Sequence, residues 1–131
     1  MHEPRNDIDL SRFEGILKRR RKAIVDDISR ELEKHEDQRF ADLIQQAADP
    51  DDRSVADLLV DLNLSELNRD VEELRAIEYA LARVRAGSYG ICRACGEPIP
   101  EERLEAIPET PLCVECQSRA EEARDARTPS L

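Results

Sequence analysis

The stretch that decides the fold is CRACGEPIPEERLEAIPETPLCVEC, residues 92–116, which begins and ends with a CxxC pair. Seventeen residues separate the two pairs, and the chain contains no further cysteine. Two CxxC pairs at this spacing can surround one tetrahedral zinc ion with four thiolates, which leaves no coordination position for water. The sequence therefore predicts one structural Zn²⁺. Its predicted ligands are Cys92, Cys95, Cys113 and Cys116.

Two other uses of paired cysteines compete with zinc. A redox-active CxxC of the thioredoxin type belongs to a βαβ unit, and the sequence shows no such pattern. Two disulfides would require an oxidising compartment, but the first residues contain no apolar run of the secretory kind. Zinc is the favoured interpretation, and the protein is predicted to be cytoplasmic.

The composition indicates helices with a narrow apolar seam. Charged residues make up 38% of the chain and aromatic residues only 3%, with no tryptophan, which leaves little material for a thick core. A formal net charge of −10 repels nucleic acid and anionic membrane surfaces. No stretch approaches the roughly 20 apolar residues of a membrane span. Direct binding to nucleic acid or to a membrane is therefore not expected.

A helix is predicted immediately before the cysteine unit, from about Ser54 to Ala86, with Gly87 as its C-terminal cap. Leucine recurs every seven residues along it, and a second apolar row alternates with the first until Glu78 interrupts it. The leucine row is Leu67, Leu74 and Leu81. The alternate row is Val60, Leu64 and Val71.

A longer helix is predicted from about Asp7 to Ala48, after a frayed lead over residues 1–6. Its apolar positions lie mostly three, four or seven residues apart. They are Leu10, Phe13, Leu17, Ile24, Ile28, Leu32 and Leu43. Pro50 and the aspartates around it then break the pattern.

Two long helices joined by a short turn pack antiparallel, so the predicted fold is mainly α. An antiparallel coiled-coil hairpin, residues 1–88 with its tip at about 48–54, precedes a zinc-finger unit at 89–131. A short C-terminal helix is predicted from about Val114 to Arg127. The alternative is a compact three- or four-helix bundle with a broken first helix. Because a hairpin covers its own seam, the chain is predicted to be a monomer.

The cysteine unit resembles the DksA/TraR family of zinc-finger proteins, in residues well beyond the cysteines. The resemblance extends to NRD at 68–70 and DPDDR at 49–53, and so covers about residues 45–120. The matching residues in the zinc unit are Tyr89 to Cys92, Cys95 to Ile99, Arg103 to Ala106, Pro108 and Leu112 to Cys116.

Members of that family bind bacterial RNA polymerase and not promoter DNA. The resemblance implies that the hairpin enters the secondary channel of the polymerase and that an acidic tip approaches the catalytic centre. The implied tip residues are Asp49 and Asp52, while Ser54 stands where the family has alanine. The resemblance thus predicts a regulator of transcription initiation.

Longer members of the family act together with the alarmone ppGpp, through basic residues. The corresponding positions here hold Val71, Glu78 and Gln117. An anionic tetraphosphate requires cations, so a ppGpp contact is not predicted for this chain.

Two other classes of protein remain as alternatives. A zinc-capped helical adaptor would keep the zinc unit but bind a different protein. A zinc-ribbon nucleic-acid binder conflicts with the acidic charge and with the shortage of aromatic side chains for stacking. No Ser-His-Asp set and no phosphate-binding glycine loop is present, so the chain is not predicted to be an enzyme.

Overall fold

The structure is a computed structural model, and it describes residues 4–34, 54–60 and 67–127. Five α-helices lie in these ranges, and the only extended pairing among the described residues is an isolated antiparallel bridge between Ile91 and Pro98. The helices are α1 (Leu10–Lys34), α2 (Val55–Val60), α3 (Asn68–Ala86), α4 (Glu101–Ala106) and α5 (Val114–Arg127). The predicted mainly α fold, ending in a small cysteine unit and a C-terminal helix, is confirmed.

Helices α1 and α3 pack antiparallel and form what we call the stem. Phe13 near the start of α1 contacts Tyr89, just beyond the end of α3, with ring centroids 5.8 Å apart. Arg21, further along α1, pairs at 3.0 Å with Glu78, which lies in the middle of α3 and so precedes Tyr89 in the chain. Residue numbers therefore rise along one helix as they fall along the other, as the hairpin prediction requires.

The apolar seam supplies most of the stability of the stem. Burying a large aliphatic or aromatic side chain contributes roughly 1.5–3 kcal/mol, whereas an exposed ion pair contributes about 0–1 kcal/mol. The leucine row predicted from the sequence is buried throughout, as are the predicted α1 positions from Phe13 to Leu32. The fully or nearly fully buried side chains of the stem include Phe13, Leu17, Ile28, Leu32, Leu67, Leu74, Ile77 and Leu81.

The second predicted helix is not continuous, which corrects the sequence-based boundaries. The Ser54 hydroxyl lies 2.9 Å from the Glu78 carboxylate, although these residues would be about 36 Å apart in one helix rising 1.5 Å per residue. The start of α2 therefore lies beside the middle of α3. The first helix is described as far as Lys34, and its predicted continuation to Ala48 lies outside the described residues.

Helix α3 ends at the predicted glycine. Gly87 has φ 79°, in the left-handed region that glycine enters without strain. Its N–H donates to the Val84 carbonyl at 3.2 Å, and the Ser88 N–H donates to the Arg83 carbonyl at 2.9 Å. These bonds satisfy carbonyls that the helix end leaves open and direct the chain into the cysteine unit.

Candidate metal centre and its attachment to the stem

The first CxxC pair lies in a tight turn closed by its own backbone. The Gly96 N–H donates to the Cys92 carbonyl at 2.9 Å, and the Cys92 N–H donates to the Glu97 carbonyl at 2.8 Å. Gly96 has φ +77°, so a side chain there would be strained. The turn therefore presents Cys92 and Cys95 on the same side of the loop.

The second CxxC pair is carried by the start of α5. Cys113 immediately precedes the helix, Cys116 lies in its first turn, and the Gln117 N–H donates to the Cys113 carbonyl at 2.9 Å. A further bond, from the Arg93 N–H to the Pro111 carbonyl at 2.9 Å, connects the two pairs. One rigid turn and one helix end thus hold the four thiols together.

The four sulfur atoms have the spacing of a single metal site. All lie within 4.8 Å of one another, and the Sγ atoms of Cys95 and Cys113 are 3.9 Å apart. A tetrahedral zinc with bonds of about 2.3 Å places its sulfur ligands about 3.8 Å apart. A disulfide would require about 2.05 Å, and all four cysteines are free. The donor set fits one Zn²⁺.

The electrostatics of the cluster also favour a cation. Burial acts to raise the pKa of the Cys92 thiol, but hydrogen bonds from the backbone of Cys113, Cys95 and Ala94 outweigh it and lower that pKa to about 6. Hydrogen bonding with the side chains of Cys113 and Cys92 raises the pKa of Cys116 to about 12. A bound dication would favour the thiolate form of all four cysteines.

Arg103 in α4 positions the loop that leads to the second pair. Its Nε donates to the Leu112 carbonyl at 3.0 Å, one residue before Cys113. Thr110, which is buried, also donates its hydroxyl to that carbonyl at 3.0 Å. Helix α4 was not predicted from the sequence, because six residues are too few to show a helical period.

Arg5 binds the cysteine unit, so the described part of the predicted frayed lead, residues 4–6, is attached to the rest of the protein. The Arg5 Nη1 donates to the carbonyls of Gly90 at 2.8 Å and Ile99 at 2.6 Å. Asp7 pairs with the same guanidinium at 2.7 Å, and this hydrogen bond lowers the pKa of its carboxyl. A Cβ at position 90 would lie 2.9 Å from the Arg5 Nη1, so the contact requires glycine there. A lone arginine gives no periodic signal, so sequence reasoning missed it.

Further contacts fix the cysteine unit on the stem. Tyr89 is buried, and its hydroxyl donates to the Pro108 carbonyl at 2.8 Å. Arg12 pairs with Glu105 at 3.1 Å. A single cluster of buried residues runs from the stem into the cysteine unit, so the two parts share a core.

The structure places only part of the predicted tip. Asp49 and Asp52 lie outside the described residues. Ser54 is half-buried, and its hydroxyl donates to Glu78 and accepts a hydrogen bond from the Asp57 N–H at 3.1 Å. The side chain of Ser54 is therefore engaged by the stem.

The three positions considered for the alarmone have ordinary partners within the protein. Val71 packs against the core, and Gln117 donates to Glu121 at 3.1 Å. The Glu78 carboxylate accepts hydrogen bonds from Arg21 and from the start of α2. None of the three side chains carries a positive charge.

Fold and site together define a four-cysteine zinc-finger protein built on an antiparallel helical stem. Residues 87–122 match the model of the prokaryotic dksA/traR C4-type zinc finger. The RNA polymerase-binding transcription factor DksA of Salmonella typhimurium is 31% identical over 116 residues, which cover 88% of this chain and 74% of the relative. The chain belongs to the DksA/TraR family and carries its C4 zinc finger.

Other similarities support the same assignment. The structure of transcription factor DksA2 from Pseudomonas aeruginosa matches with a TM-score of 0.53 and 30% identity, over 88% of this chain and 85% of that one. An uncharacterised protein of Aquifex aeolicus is 47% identical over 68 residues, 52% of this chain and 46% of its own length. The similarity to DksA extends beyond the predicted residues 45–120.

The Salmonella and Pseudomonas relatives are named as transcription factors, which agrees with the prediction that the chain is not an enzyme. Within the described residues, no helix is both long enough and apolar enough to cross a membrane.

Proposed function

We propose that this protein binds bacterial RNA polymerase through the secondary channel and modulates transcription initiation without binding DNA itself. The observation that carries the proposal is the antiparallel stem with a C4 zinc unit fixed to its end, in a chain similar to DksA over 88% of its length. The 25-residue α1 is about 38 Å long, a length suited to reaching into a channel.

The acidic surface supports a protein partner. A net charge of −10 is unfavourable next to nucleic acid. In this proposal the protein is a cytoplasmic monomer that docks on a positively charged surface of the polymerase. In this proposal Asp49 and Asp52 form the acidic tip that acts at the catalytic centre. Residues 1–88 provide the reaching part and residues 89–131 the anchoring zinc unit.

The zinc ligands in this proposal are Cys92, Cys95, Cys113 and Cys116. Elemental analysis of protein purified without added metal should give one zinc per chain. A cooperatively folded cysteine unit that contains no metal would contradict the assignment.

Binding is tested with purified core polymerase. A photo-crosslinking residue at position 51 should label the catalytic subunits near the active centre, and an excess of another secondary-channel factor should abolish the label. If micromolar protein binds neither core enzyme nor holoenzyme, the chain is an adaptor for a different partner.

The role of the tip is tested separately from binding. The double change Asp49→Asn with Asp52→Asn removes two charges and keeps shape and hydrogen bonding. We expect polymerase affinity to stay within a few-fold while the effect on promoter-complex lifetime disappears. Glu101→Gln with Glu102→Gln removes two charges from the exposed start of α4 and serves as the matched control. Unchanged regulation by the asparagine pair would show that the charge of the two aspartates plays no part in regulation.

A further inference from the structure

Glu78 connects three helices through one carboxylate. Its Oε2 accepts from the Arg21 guanidinium at 3.0 and 3.1 Å and from the Val55 N–H at 3.1 Å. Its Oε1 accepts from the Ser54 hydroxyl at 2.9 Å and from the Ala56 N–H at 3.2 Å. We call Arg21, Ser54 and Glu78, with the two N–H groups, the Glu78 clamp.

The clamp satisfies groups that would otherwise be left open at the start of α2. The first N–H groups of a helix have no partner inside the helix. Glu78 takes those of Val55 and Ala56, and the Ser54 hydroxyl takes that of Asp57 at 3.1 Å. Val55 and Ala56 are fully buried, so water could not replace these acceptors while α2 stays in place.

The ion pair inside the clamp is also shielded. The side chains of Arg21 and Glu78 are 14% and 15% exposed. Removing one member of such a pair leaves the other charge poorly solvated. The clamp is therefore harder to open than a surface salt bridge.

Glu78 and Ser54 both occupy positions where the sequence departs from the expected residue type. Glu78 interrupts the apolar row of α3, and Ser54 stands where the family resemblance predicts alanine. An alanine side chain could make neither of the Ser54 hydrogen bonds. The structure brings these two unusual positions into direct contact.

We infer that the Glu78 clamp is a conformational lock that holds the start of α2 against the middle of the stem. A partner that displaces α2 must first break these hydrogen bonds. The lock is a property of the free protein and does not depend on polymerase binding.

Amide hydrogen exchange measured by NMR on the full-length zinc-loaded protein tests the lock. Glu78→Ala should raise the exchange rates of the Val55 and Ala56 amides at least tenfold. Ser54→Ala should raise the rate of the Asp57 amide by a similar factor. Glu73→Ala, an exposed glutamate on the same helix, should leave these three rates within twofold of the parent.

Unchanged exchange at Val55 and Ala56 in the Glu78→Ala protein would overturn the inference. If the Glu78→Ala protein also loses protection of the Leu74 and Ile77 amides from exchange, the stem itself has unfolded. The Ser54→Ala variant then provides the test of the lock. Unchanged Asp57 exchange in a folded Ser54→Ala protein would equally overturn it, and a selective increase would support it.

Discussion

Tyr89 is a buried hydroxyl at the junction of stem and zinc unit. Burial, together with the nearby Glu109 carboxylate, raises its pKa well above the usual value. The folded protein therefore keeps this proton when the unfolded chain has released it. Stability should be insensitive to this group below about pH 10 and should fall as pH rises further, by up to about 1.4 kcal/mol per pH unit.

We expect Tyr89→Phe to cost about 0.5–1.5 kcal/mol at neutral pH, because the hydrogen bond to Pro108 is lost. The variant should also lose less stability than the parent between pH 10 and 11. Denaturant unfolding at each pH measures both effects. Tyr79→Phe, at an exposed ring, is the control. Parallel pH curves for the parent and Tyr89→Phe would show that the buried hydroxyl does not titrate as argued.

Arg5 acts on the zinc unit from the opposite end of the chain. Its side chain is only 8% exposed and donates to two carbonyls of that unit. We expect Arg5→Ala to destabilise the protein by about 1–3 kcal/mol, since two acceptors lose a charged donor. Transfer of zinc to a chelator should be faster. Arg19→Ala, a change at an exposed arginine, should alter neither the stability nor the rate of zinc transfer. If the two variants behave alike, Arg5 does not hold the zinc unit in place.

At the scale of helices and turns, the sequence predicted those elements that have a local signal, such as a regular apolar spacing or a glycine at a helix end. The leucine row of α3, the glycine cap and the C-terminal helix at 114–127 lie where expected. The break between α2 and α3 was not predicted, because the Glu78 contacts join residues 22 to 57 positions apart. Local periodicity contains no information on such pairings.

The metal site was predicted because its signal is also local in the sequence. The two CxxC pairs identify the four donor sulfur atoms, and their spacing is typical of a zinc site. What the sequence could not give is the support around them. Arg5 and Arg103 bind carbonyl groups, and carbonyl groups are present at every residue, so no pattern marks them.

The zinc unit should depend on its metal. We expect Cys116→Ser, or chelation, to unfold about residues 89–117 while much of the stem remains helical, because α1 and α3 bury their own seam. Zinc should also leave as pH falls, since protons compete for the thiolates. Circular dichroism measures the helix that remains, and a zinc assay on the same samples measures the metal that remains bound. Retention of a folded unit in metal-free Cys116→Ser protein would contradict this expectation.

At the scale of the whole molecule, the alarmone should have little effect. Each missing charge-assisted contact removes roughly 1.5–3 kcal/mol, and Val71, Glu78 and Gln117 supply none. We expect ppGpp to change transcription effects of this protein less than twofold, with a polymerase whose other alarmone site is disabled. Strong synergy in that assay would show that other arginines, such as Arg75 or Arg119, provide the charge.

The contact between Arg5 and Ile99 spans 94 positions of the chain, and this has a consequence for biosynthesis. A ribosome adding 5–20 residues per second takes about 5–20 s to pass from one to the other. For much of that time the apolar face of α1 has no partner, because α3, the helix that covers it, is complete only at Ala86. Folding of the zinc unit onto the stem must therefore follow translation of almost the entire described chain. The nascent protein should be most vulnerable to chaperones and proteases in that interval.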